Sequence, residues 1–227
     1  MSYRKRVDPP APPWALSGEC LVAAVRPGLA AGLPPGLHAV PGPRLVLGVR
    51  YDQSPVGPYL EFAVCEPARL GARIGFCVTT MVVSTVEARR GGRVNWCLPK
   101  ELGTLDWTTD GDTRILHWAE RGLTLRATPV GPPLPTLVPF RLFQSGTDES
   151  MAATARLKGR GRLARVRVEV SGDDPLAWAA GSHAGTVVSS ARLVMEEATG
   201  GWRSRAAARC ARPAAEPALA WSGDPGD

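Results

Sequence analysis

The chain has 227 residues, 44% of them hydrophobic, and carries 27 lysines and arginines against 21 aspartates and glutamates, a formal net charge of +6. This length can bury a substantial core in one domain, and the composition excludes a disordered or fibrous chain. Gly, Pro or charge breaks every apolar run well short of the ~20 residues that a membrane helix needs, and the arginines are scattered with no nucleic-acid motif, so neither membrane nor nucleic acid is an expected partner.

The opening "MSYRKRVDPPAPP" is basic and proline-rich and reads as an arm over residues 1–13. No apolar stretch of signal-peptide type follows it. Five cysteines, Cys20, Cys65, Cys77, Cys97 and Cys210, are odd in number and form no close pair, so the expected location is a reducing cytoplasm.

From residue 14 the pattern is one of short apolar segments separated by turns. "ECLVAAV" and "RLVLGVRY" flank "AGLPPGLHAVPGPR", and "DQSPVGPY" leads into "YLEFAVCEPA". "RIGFCVTTMVVST" and "RILHWAERGLTLRATPV" continue in valine, threonine and aromatics, the second with an "AERG" turn. In "RLKGRGRLARVRVEV" charge alternates with apolar residues, which predicts a strand with one wet face, and "HAGTVVSSARLVMEE" follows as another. Helix is a minority: residues 26–37 allow a turn or two, and "DPLAWAAG" begins with an N-cap aspartate and a proline. The expectation is a mainly β domain over 14–202, an antiparallel sheet closed or packed upon itself, followed by an Ala/Arg/Pro-rich tail over 203–227.

Only three of the 27 basic residues are lysines, and one of them, Lys100, sits in "GGRVNWCLPKELGTLDW". A desolvated amine attacks a carbonyl, whereas a guanidinium forms no Schiff base. "PPWALSGE", "SPVGPYLE", "GGRVNWCLPKELGTL" and "TVVSSARLVMEEA", in this order between about Trp14 and Glu197, resemble the acetoacetate decarboxylase family. The resemblance implies a closed, largely antiparallel β-barrel with a central cavity and few short helices, and a homo-oligomer. It further implies that Lys100 forms a Schiff base with a keto or β-keto acid, leading to decarboxylation or to aldol or dehydration chemistry.

Glu61 of "GPYLE" matches an active-site glutamate and is the expected proton shuttle. Tyr59, Arg93 and Trp96 are the candidates for substrate contact, and Leu98 and Trp107 for further apolar walls around the amine. The alternative is a catalytically inactive barrel that binds a small apolar or carbonyl-bearing ligand. Two departures favour it. Glu101 stands where the decarboxylase has a second lysine, and the stretch matching the family's N-terminal arginine offers Glu19. Apart from these, a second family glutamate has its counterpart within apolar "RLVLGV". On a strand, Glu101 would point away from Lys100. No cofactor or metal is expected: His38, His117 and His183 lie far apart in no ligand spacing, and Ser182 beside His183 forms no nucleophile elbow.

Overall fold

The structure, a computed structural model, describes residues 8–26, 32–145 and 150–200. Its strands are β1 (Trp14–Val25), β2 (His38–Ala39), β3 (Arg44–Gln53), β4 (Tyr59–Leu70), β5 (Arg73–Val83), β6 (Lys100–Leu102), β7 (Leu105–Asp110), β8 (Thr113–Trp118), β9 (Leu123–Ser145), β10 (Ser150–Glu169) and β11 (Gly181–Met195). They form one large sheet in the order β6-β5-β4-β3-β1-β11-β10-β9-β8-β7, with β2 on β4. β5 also pairs with β9, so the path from β5 through β4, β3, β1, β11 and β10 to β9 returns to its start. The β5–β9 and β5–β6 pairings are parallel and the others antiparallel, which makes the sheet mixed.

The ring of strands carries apolar residues on both faces, because each face has a partner. On β3, Leu45, Leu47, Val49 and Tyr51 face inward with the core that holds Trp14, Ala63, Met81 and Trp96. Val46 faces the other way, into a second core with Leu21, Phe62, Leu116, Leu125 and Val166. That second layer comes from the β7–β8 hairpin and from the stretches of β9 and β10 paired beside it. Strands covered on both sides read as apolar runs rather than as strict alternation, as "LVLGV" and "EFAVC" do. The charged residues of "RLARVRVE" alternate as anticipated: Arg165 and Arg167 are exposed, and Val166 and Val168 are buried.

Two local expectations change. "DPLAWAAG" forms only a single 3-10 turn, Ala177–Ala179, preceded by Asp174, whose carboxylate accepts from Leu176 N–H and is held by Arg121 at 2.9 Å. Of residues 26–37, 27–31 lie outside the described residues, and 32–37 contain a turn and no helix. β9 runs straight through "PVGPPLPTLVP", a stretch whose prolines argue against a strand. From about residue 129 to 140 it pairs with β10 on one side alone, and prolines fit a strand whose other edge is free.

The helix α1 (Val86–Trp96), the one α-helix among the described residues, is not apparent in the sequence because Gly91 and Gly92 interrupt it; each costs about 1 kcal/mol relative to Ala in a helix interior. Its termini nevertheless carry ordinary signals. Thr85 caps Ala88 N, Glu87 lies in the first turn and Arg93 in the last. Cys97 closes the helix in the left-handed region with φ 50°, and its N–H donates to the Arg93 carbonyl. Both glycines answer to tertiary contacts: a Cβ on Gly91 would lie 2.3 Å from the Trp14 ring, and one on Gly92 would lie 2.5 Å from Cδ and Cε of Lys100.

Gly91→Ala tests this account. Helix propensity alone predicts a gain of about 1 kcal/mol, whereas the clash with buried Trp14 predicts a net loss of about 1–3 kcal/mol. Denaturant titration of the two proteins should show the loss.

Candidate active site

Three local devices place Lys100. Pro99 follows the left-handed Cys97 and keeps the chain from continuing as helix. The Lys100 N–H donates to the Leu98 carbonyl at 2.8 Å, and Arg93 Nε donates to the Lys100 carbonyl at 2.6 Å. β6 then lies parallel to β5, with Lys100 beside Met81. On β6 Lys100 is buried, and Glu101 is exposed. The Glu101 carboxylate therefore points away from the cavity.

Glu61 reaches the same place from β4. The turn after β3, in which Ser54 Oγ accepts from Val56 N–H, sets Tyr51 opposite Tyr59 and Val49 opposite Glu61. The Lys100 ammonium lies 2.8 Å from Glu61 Oε2, with Lys100 3% and Glu61 6% exposed. Tyr51 OH donates to Glu61 Oε1 at 3.4 Å, and the Tyr59 ring centroid lies 5.1 Å from Nζ. The Tyr59 hydroxyl makes no hydrogen bond among the described residues. Burial, and then the Glu61 charge, push both tyrosines well above the ordinary phenol range, so their hydroxyls remain donors.

These groups open onto a cavity of about 360 Å³ inside the ring of strands. Lys100, Glu61, Tyr59 and Trp96 line it together, joined by Tyr51. Trp96 is fixed by Nε1–H donation to the Glu196 carbonyl at 2.8 Å and by an edge-on contact with Trp14, ring centroids 5.1 Å apart. Arg93 does not line the cavity; its guanidinium holds the Lys100 backbone from outside. Leu98 lines the cavity as expected, but Trp107 on β7 packs in the second core, under the Arg50 guanidinium.

Sequence reasoning overlooked Tyr51, although the pairing of "RYDQ" with "PYLE" across a short turn was there to find. It also missed the partners of Glu19. That residue is 6% exposed, contributes to the cavity wall, and is held by Arg114 Nε at 2.7 Å and by Arg50 at 3.8 Å. The cavity thiols Cys20 and Cys65 are driven upward chiefly by burial, Cys20 to about 12, which leaves them protonated and unreactive. Among the described residues no group of three His, Cys, Asp or Glu is placed to hold a metal, and no helix is long and apolar enough to cross a membrane.

The acetoacetate decarboxylase family model matches residues 3–175. No curated protein sequence is significantly similar to the chain. Solved structures share its fold. Acetoacetate decarboxylase from Legionella pneumophila superposes with a TM-score of 0.65 at 17% identity, over 87% of this chain and 90% of that one. The enduracididine biosynthesis enzyme MppR, solved with pyruvate, gives 0.62 at 16% identity, over 87% and 92%. An acetoacetate decarboxylase-like enzyme from Sphingomonas wittichii gives 0.59 at 16% identity, over 82% and 91%.

The buried thiols make a pH prediction. Cys20 and Cys77 are raised to about 12 by burial, and Cys65 moves in the same direction. In the unfolded chain a thiol ionises near pH ~8.5, so above that pH folding takes up protons. Their contribution is fully present below about pH 8.5 and is lost as pH rises toward 12. Urea midpoints should therefore fall between about pH 8 and about pH 10.5, and replacing Cys20 by Ala should reduce the slope.

Proposed function

The chain belongs to the acetoacetate decarboxylase family, and on that premise we propose that it is a Schiff-base enzyme with Lys100 as nucleophile, Glu61 as proton carrier and Tyr59 as hydrogen-bond donor to the substrate carbonyl. The observation that carries the reading is the 2.8 Å contact between an amine and a carboxylate, both buried at the wall of a mostly apolar cavity. A proton passing from Nζ to Oε2 leaves a neutral amine and a neutral acid, and an apolar wall favours that exchange over separated charges. In the same reading the ring of strands is a closed barrel around the cavity.

The amine adds to the carbonyl carbon, forming a C–N bond, and the carbonyl oxygen leaves as water after taking up two protons. The iminium then accepts an electron pair from the adjacent carbon. With a β-keto acid, the bond to the carboxylate breaks and carbon dioxide leaves. With a simple ketone, Glu61 takes the α-proton, and the enamine attacks an aldehyde carbon, with loss of water to follow. MppR has been solved with the condensation product of pyruvate and an aldehyde. Here the aldol and dehydration branch is favoured, because among the described lining residues Lys100 is the only cation and Glu61 already pairs with it.

The same contact supports a second reading, a barrel that binds a carbonyl compound without turnover, since a carboxylate at 2.8 Å stabilises the ammonium. α-Proton exchange of a ketone in D₂O and borohydride trapping separate the two. Lys100→Ala should abolish both. Glu61→Gln should lower exchange by about 10²–10⁴ while the lysine adduct still forms, and a wild type with neither activity leaves the binder.

A homo-oligomer belongs to the proposal. Leu134, Leu137 and Leu163, all more than 60% exposed, lie on paired stretches of β9 and β10, and apolar side chains gathered in this way mark an interaction surface. Light scattering should give a mass well above 24.1 kDa, and Leu134→Glu with Leu137→Glu should lower it.

A further inference from the structure

The cavity has one charged end and a long uncharged remainder, mostly apolar apart from Thr136 and Thr186. Along β3 and β4 the facing pairs run Tyr51 with Tyr59, Val49 with Glu61, Leu47 with Ala63 and Leu45 with Cys65. All eight of these side chains line the cavity. From Glu61 to Cys65 the strand advances four residues, about 13 Å, and nothing charged lines that run on either strand. Phe76 and Leu142, paired where β5 meets β9, bound it further on. A site for a three- or four-carbon acid has no use for such an extension.

Charge decides what fills it. The described lining residues carry two carboxylates, Glu19 and Glu61, and one cation, Lys100, which is already engaged. No arginine lines the cavity; Arg50 and Arg114 hold Glu19 without entering the lining. A substrate carboxylate would enter without a counter-ion and would face Glu61, and a buried charge without a partner is strongly disfavoured.

We infer that the site takes an uncharged ketone or aldehyde with a hydrocarbon tail, its carbonyl at Lys100 and its tail along the Val49–Leu45 and Ala63–Cys65 strips, with room for roughly eight to ten carbons in ~13 Å. The inference rests on the reading of Lys100 as the carbonyl-binding amine, and it extends that reading to the class of substrate. Each added methylene should tighten binding about three- to fourfold, the equivalent of ~0.8 kcal/mol, until the run is filled.

The experiment uses the full chain and a series of 2-alkanones from acetone to 2-dodecanone, with pyruvate, acetoacetate and 3-oxo-octanoate as acids. Affinity is read by calorimetry, and covalent capture by borohydride reduction with mass mapping of Lys100. In capture, the amine and carbonyl lose one water to give the iminium, which hydride reduces to a secondary amine. Expected are a stepwise rise in affinity with chain length that levels off near ten carbons, weaker binding of the acid than of a ketone of equal length, and an adduct on Lys100. Tight binding of long ketones with no adduct keeps the substrate class and sinks the Schiff-base reading. Capture of short keto acids with no gain from chain length sinks the substrate class and keeps the Schiff base. Absence of both overturns the two together. Leu47→Phe, which narrows the middle of the run, should move the optimum to shorter ketones, and the wild-type series decides the matter if that variant does not fold.

Discussion

The Lys100–Glu61 pair sets the terms for the rest of the site. Two opposite charges taken out of water cost several kcal/mol apiece, and their attraction offsets this only when the geometry is good and the remaining lone pairs are met. Much of the nearby structure meets that condition. Tyr51 donates to the second carboxylate oxygen, the Tyr59 ring faces the ammonium, and Gly92 leaves the lysine stem room to pass the helix. Arg93 grips the backbone of Lys100 and so holds the base of the side chain still. An arginine at position 100 would keep the charge, but a guanidinium forms no Schiff base.

The pair keeps its surroundings because the strands beside it are covered on both faces. Inside the ring the side chains of β1, β3, β4 and β11 border the cavity, and outside it the β7–β8 hairpin with parts of β9 and β10 packs a second core. Glu19 sits between the two layers, its carboxylate drawn to Arg114 and Arg50. Glu19 thus ties the two layers together.

Long strands make this arrangement possible. β9 and β10 extend over 23 and 20 residues, so that one end of each serves the outer layer and the other the ring. Where β9 passes between the two duties it has a free edge, and its prolines and exposed leucines gather there. Those prolines weaken the strand signal at the very place where the chain has most to do.

Period-two alternation, β-branched residues and turn dipeptides act within a few residues of each other, so the sequence alone determined the mainly β class, the positions of most strands and the wet face of β10. Scarcity singled out Lys100 as a candidate: one of three lysines, after a proline, in a segment that resembles a known family. Other features depend on residues far apart in the chain, and only the tertiary structure decided them. Glu61 and Lys100 are 39 residues apart and meet because β6 lies parallel to β5 while β4 pairs on its other side, a register that no local pattern encodes. α1 was hidden because its two glycines weaken the helical signal, and the reasons for them, Trp14 and the stem of Lys100, come from other elements. The side to which Glu101 points, the duty of Arg93 and the absence of a second cation in the described cavity lining follow from the same long-range packing, in which contact is set by the path of the sheet rather than by distance along the chain.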